Sequence, residues 1–376
     1  MSINSILKKE GIEIISSLNT LEINKIASKI ADMLCSTFPE HNLNQSDLFI
    51  SISRLNMYIA KMPSDSTKAK YFYKNNSIYF SEDMDLEDLN TLAVHECIHF
   101  LQELKNKRGK LIRLGLYNLQ GNAAGMALNE AAVQLMASKA TKSKIDTVRY
   151  YNMNLTTESP DYYPLETAIV RQLAYFTGTY PLFHSVLHSN DVFKNTLIAK
   201  ANEKAYNLIE YNLDLLLHYQ EELSISIYNL ENCSEDSISL NKIKNLSNRI
   251  EALKSIILKL TLEIQNTIIY HCFNKEFDYI KDIESLKAFQ KHLYNFKDLI
   301  IDTEGYNYYN EFYRDMMNRL EEKRELIKKY GVLTFFEESN KDLVLFESPT
   351  YGIAFFKKLF SKLKLLVEEK IRVKDY

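Results

Sequence analysis

His95-Glu96-Cys97-Ile98-His99 decides how the rest of the chain is read. On an α-helix, residues four apart share a face, so both imidazoles can approach one point while the Glu96 carboxylate sits beside it. The helical angle of Cys97 turns it away from that face, toward the packed side. With eight histidines in 376 residues, a chance HExxH is expected in roughly 1% of such chains. The pattern points to metal ligation by His95 and His99.

Working outward, Asp83 or Asp85 can cap a helix that carries Leu86, Leu89, Leu92, Ala93 and the motif onward to about Lys107, with Gly109 as its stop. Upstream, β-branched and aromatic residues crowd Asp47 to Ala60, Tyr71-Phe72-Tyr73 and Ile78-Tyr79-Phe80. Asn75-Asn76 supplies a hairpin turn, so a small antiparallel sheet is expected there. The first forty residues read as two helices, 3 to 17 and 20 to 36.

Downstream, an alanine-rich helix is expected over 122 to 140 and another over 165 to 176, after Pro160 and Pro164. Between Pro181 and Pro349 there is no proline, which argues for long packed helices with turns near 232 to 236, 302 to 305 and 331. The fold class is α+β, predominantly helical. An amino-terminal helical segment (1–45), a sheet-bearing region around the motif (46–192) and a helical domain (193–376) follow in order. Residues 353 to 372 read as a basic amphipathic helix, which would pack its Phe and Leu face on the helical half or dock on an anionic membrane or partner groove.

The formal charge of −3 gives no global pull toward nucleic acid, and none is expected as a partner. No uncharged run is long enough to span a bilayer, and the amino terminus lacks a signal-peptide pattern. Four scattered cysteines without CxxC pairing fit neither a disulfide scaffold nor a thiolate metal site. A cytoplasmic protein is expected. The sequence sets no oligomeric state.

A zinc site with an open position takes three protein ligands, so the two histidines need a partner. Glu130, beside Asn129 in the middle of the 122 to 140 helix, is the leading third ligand for one Zn2+ per chain. Glu166 is the next candidate should Glu130 turn outward. Glu103 reads as an outer or solvated residue. His184 and His188 repeat the four-residue spacing, but with no carboxylate between them they read as a structural pair. The cluster Lys105, Lys107, Arg108, Lys110 and Arg113 reads as a solvated face or an attraction for acidic substrate residues.

His95, Glu96, His99 and the triplet Asn129-Glu130-Ala131 resemble the gluzincin class of zinc metallopeptidases over roughly residues 70 to 140. The resemblance implies a zincin-like catalytic region and a peptide or protein substrate. Glu96 would be the general base for a metal-activated water, and the strand Ser77 to Ser81 would border the cleft, with Ile78 to Phe80 holding the peptide. It also implies an oxyanion-stabilising group, for which Tyr162, Tyr163 and His184 are the candidates. Many members place an aspartate four residues after the glutamate ligand; this chain has Gln134. A metzincin reading is disfavoured, because its continuation needs glycine and histidine where this chain has Gln102 and Lys105. The competing expectation is a non-catalytic helical interaction or regulatory protein with a structural or vestigial metal site.

Overall fold

The computed structural model describes residues 3–63, 68–83, 91–120, 123–233, 239–303 and 308–331. Asp85, Leu86 and Leu89 and the amphipathic stretch 353 to 372 lie outside the described residues. The chain opens with α1 (Ile3–Lys9), β1 (Glu13–Ser17), α2 (Thr20–Thr37), α3 (Gln45–Ile52), β2 (Asn56–Lys61), β3 (Ala69–Phe72), β4 (Ser77–Ser81) and α4 (Thr91–Leu101). It continues through β5 (Glu103–Lys105), β6 (Leu111–Leu114), β7 (Tyr117–Asn118), α5 (Met126–Ala140), β8 (Asp146–Tyr150), β9 (Met153–Thr157) and α6 (Pro164–Thr177). The remainder is helical apart from one short strand: α7 (Thr179–His188), α8 (Val192–Lys200), α9 (Glu203–Glu231), α10 (Ser239–Asp278), α11 (Ile283–Asn295), β10 (Asp302–Thr303) and α12 (Tyr308–Tyr330). The fold is α+β and mostly helical.

Four elements depart from the expectations, each for a local reason. The first helix stops at Lys9 because Gly11 takes φ +73°; the residues beyond it become β1, which pairs antiparallel with β2. The β-branched run after Asp47 begins as helix α3, because the Asn44 side chain caps it by accepting from the Asp47 N–H at 3.0 Å. The motif helix ends at Leu101, and Glu103–Lys105 pairs with Leu111–Leu114, so Gly109 lies in a hairpin turn instead of ending a helix. The main sheet, in the order β1-β2-β4-β3, is mixed: β2 and β4 run parallel, while β3 and β4 form the hairpin expected at Asn75-Asn76, with Asn76 at φ +48°.

That order settles which strand faces the cleft. Both edges of β4 are occupied, by β2 and β3, and Ile78, Tyr79 and Phe80 are fully buried. They therefore cannot hold a peptide; of the two edge strands, β1 and β3, it is β3 that contributes Ala69 to the cleft.

One hydrophobic core joins the sheet to the helices, with contributions from Ile26 through Ile327. Helices α5 and α6 lie inside it. In α5 the small residues Ala127, Ala131, Ala132 and Ala137 are all 0% exposed, which lets α4 and α6 approach it closely. Helices α9 and α10, of 29 and 40 residues, pack along one another, and α9 also packs on α5. No helix among the described residues is long and apolar enough to cross a membrane.

Candidate metal centre

Helices α4 and α5 bring the three expected ligands together. His95 Nε2 and His99 Nε2 lie 2.8 Å apart, and each is 3.3 Å from Glu130 Oε2. Among the described residues this is the one group of three or more His, Cys, Asp or Glu side chains whose donor atoms converge closely enough to hold a metal ion. Donors at tetrahedral zinc distances are separated by roughly 3.3 Å. Both carboxylate edges match this value, and the histidine nitrogens need to part by only about half an ångström.

The hydrogen-bond network outside the triad assigns the ring protons. His95 Nδ1 faces Gln134 Oε1 at 2.9 Å. The Gln134 amide cannot be reversed, because its Nε2 donates to Ser159 Oγ at 2.9 Å while that hydroxyl spends its own proton on the Tyr162 carbonyl. His99 Nδ1 faces Gln102 Oε1 at 3.0 Å. Gln102 is fixed in turn, since its Nε2 donates to Asn129 Oδ1 at 3.1 Å, an oxygen that also accepts from the Leu116 N–H at 3.0 Å. Amide oxygens only accept, so both Nδ1 atoms carry hydrogen. In the neutral rings, both Nε2 lone pairs then point at the same place as the Glu130 carboxylate. Three acceptors without a donor require a cation among them, and this donor set fits a divalent metal.

A proton can stand in for part of that charge. Burial opposes a charge on His99, but the Glu130 carboxylate outweighs it and raises the ring to about 9. Burial would raise the Glu130 carboxyl, and the two imidazoles instead hold it well below the usual carboxylate range.

The backbone around the triad keeps these partners in place. Gly115 adopts φ +54°, and a Cβ there would collide with the Gln102 amide and Asn129 Oδ1, so only glycine fits. Helix α5 begins at Gly125 without a side-chain cap of its own. Asp214 of α9 supplies one, accepting from the Gly125 and Ala127 N–H groups at 2.9 and 2.8 Å.

The triad opens on a cleft of about 670 Å3 lined by Glu96, Tyr163, Lys68 and, from α9, Leu217, Gln220 and Glu221. Glu96 is half-buried, and its Oε2 accepts the Tyr71 N–H of edge strand β3 at 2.5 Å. Burial pushes its carboxyl upward, against the opposing pull of His95 and His99. Tyr163 stacks on His95, with ring centroids 6.3 Å apart. The nearby Glu130 charge, followed by burial, lifts its phenol well above the ordinary value.

The other candidates make different contacts. Tyr162 lines the cleft, and its carbonyl accepts from Ser159. His184 does not join the site; its ring neighbours are His41, Tyr180 and His188. Glu103 accepts from the Tyr71 hydroxyl at 2.8 Å and pairs with Lys105. Arg113 ties β6 to Asp191 at 2.8 Å, a structural use. Cys97 is fully buried, and burial pushes its thiol far up, which makes it unreactive. Glu166 is fully buried and is not part of the triad.

The site contacts of Gln102, the Asn129 amide and the Tyr71 N–H were not among the sequence expectations. A signal for Gln102 existed: it stands three residues after His99, within reach of the same helical face. The roles of the Asn129 amide and the Tyr71 N–H depend on long-range contacts. The chain matches no protein-family model, no curated protein and no solved structure.

Proposed function

We propose that the protein is a zinc-dependent metallopeptidase of gluzincin-like organisation, with His95, His99 and Glu130 as metal ligands and Glu96 as general base. The observation that supports this most is the convergence of three lone-pair donors beside an open cleft. A purely structural metal site is usually closed by a fourth protein ligand. When bound, zinc supplies Lewis acidity that brings the pKa of a water toward neutrality.

The protein's own groups account for the rest of the hydrolytic cycle. Glu96, held by the Tyr71 amide, takes a proton from the attacking water and later delivers it to the leaving amine. Its raised affinity for a proton suits a group that must both accept and return one. Tyr163 keeps its proton at neutral pH and offers a hydrogen bond to the developing oxyanion from the cleft wall. The neutral amides of Gln134 and Gln102 hold the two ligand rings in their metal-binding tautomer.

The test is Glu96→Gln. The variant is expected to keep about one zinc per chain, by elemental analysis, while peptide hydrolysis falls by about 10²- to 10⁴-fold. Retained zinc with unchanged hydrolysis would remove Glu96 from the mechanism. Retained zinc in a wild type that cleaves no member of a peptide library would favour the alternative of a regulatory protein with a structural metal site.

A further inference from the structure

Next to the metal cleft lies a larger cavity of about 910 Å3. Gln134 and Asp161 are among the residues that line both spaces. Gln134 is also the residue whose amide oxygen faces His95 Nδ1 at 2.9 Å, so the second cavity begins one side chain from the ligand set. A substrate seated in the metal cleft can therefore extend a side chain directly into it.

Two buried polar atoms in the residues lining this cavity lack partners. Ser138 is 1% exposed and Glu158 is 9% exposed, yet Ser138 Oγ and Glu158 Oε2 have no hydrogen-bond partner among the described residues. Lys139 approaches Glu158 through the other oxygen, at 3.6 Å, which leaves Oε2 unsatisfied. Leaving such buried atoms unpaired is unfavourable, a penalty that an incoming donor would relieve. The charge around them has the same sense. Asp83, Asp146, Glu158 and Asp161 contribute carboxylates, against Lys68 and Lys144. Lys68 is itself 4.0 Å from Asp83.

We infer that this cavity is a specificity subsite for a cationic side chain, lysine or arginine, close to the scissile bond of a peptide substrate. Glu158 is the counter-charge and Ser138 Oγ an additional acceptor. The inference that the ligand is a peptide rests on the metallopeptidase reading; the selection of positive charge rests on the cavity. A guanidinium or ammonium group in the cavity meets the Glu158 carboxylate as an opposite charge and pairs with it by a charge-assisted hydrogen bond. An acidic side chain would meet Asp146, Glu158 and Asp161 as like charges, and an aliphatic one would leave the buried acceptors unpaired.

The test uses three blocked alanine-based pentapeptides whose central residue is arginine, alanine or glutamate. Binding is measured calorimetrically on the zinc-loaded full-length Glu96→Gln protein, and turnover on the wild type. The arginine peptide is expected to bind at least about tenfold more tightly than the other two. Adding Glu158→Gln should abolish that preference. Asp146→Asn, at a more exposed position on the same wall, should reduce the preference a few-fold and serves if Glu158→Gln does not fold. Equal or undetectable binding of the three peptides, or a preference that survives both substitutions, would overturn the subsite. Arginine-selective binding without cleavage by the wild type would leave the subsite standing and refute the peptidase reading. Cleavage without charge preference would do the reverse.

Discussion

The chain contains two histidine pairs with identical spacing, and among the described residues only one of them belongs to a group that could hold a metal ion. The rings of His95 and His99 have centroids 4.6 Å apart; those of His184 and His188 are 4.5 Å apart. Spacing on a helix therefore brings both pairs equally close. What differs is the surroundings. In the first pair both Nδ1 atoms are committed to glutamine oxygens, and Glu130 closes the triangle from a second helix. In the second pair His184 Nδ1 has no partner among the described residues, and the ring lies in a stack with His41 and Tyr180. Where the first pair has Glu96, the second has Ser185, which donates to Asn190 and accepts the Phe193 N–H in joining α7 to α8. An HxxxH repeat supplies proximity, and the neighbouring polar groups supply direction and charge.

Removing Glu130 should reduce the first pair to the condition of the second. For Glu130→Gln, zinc affinity is expected to fall by more than the roughly 10- to 100-fold that outer partners contribute, measurable by competition with a chromogenic chelator. An unchanged affinity would mean that another group is the third ligand.

A second contrast concerns buried carboxyls. Glu130 is held ionised by two imidazoles, whereas burial lifts Glu166 from an ordinary 4.5 to about 7. The unfolded chain releases the Glu166 proton near pH 4.5 and the folded protein keeps it to about pH 7. Between those values the folded state binds more protons, so stability falls as pH rises, by about 3 kcal/mol in all. Glu166→Gln preserves the neutral shape and should remove most of that decline, as judged by urea unfolding at pH 5 and pH 8. A parallel pH dependence in the variant would show that Glu166 is not its source.

The smallest expected effects concern the outer amides. Gln134→Leu and Gln102→Leu should each weaken zinc binding by about 10- to 100-fold through lost control of the ring tautomer. Near-additive losses are expected, because the two glutamines hold different rings. Unchanged affinity in both variants would mean that packing alone orients the rings.

The site was more legible in the sequence than the fold around it. The positions of His95, Glu96, His99 and Glu130 were readable because helical periodicity is local: a five-residue pattern brings two imidazoles together, and an alanine-rich helix makes a lone glutamate conspicuous. Helices α2, α5 and α6 were readable for the same reason. Sheet order was not, because the parallel pairing of β2 with β4 is a long-range choice that neither strand encodes alone. The consequence was functional: β4 was expected to border the cleft, and β3 holds that edge instead. Residues 49 to 52, Phe-Ile-Ser-Ile, look like a strand; the Asn44 cap starts a helix through them nonetheless.

Zinc stoichiometry, measured by elemental analysis after dialysis, probes the His95, His99 and Glu130 centre itself. The expected result is about one zinc per chain, abolished by His95→Gln and unaffected by His188→Gln. A chain that takes up no zinc, or one whose zinc survives His95→Gln, would contradict the assignment of His95, His99 and Glu130 as a metal centre.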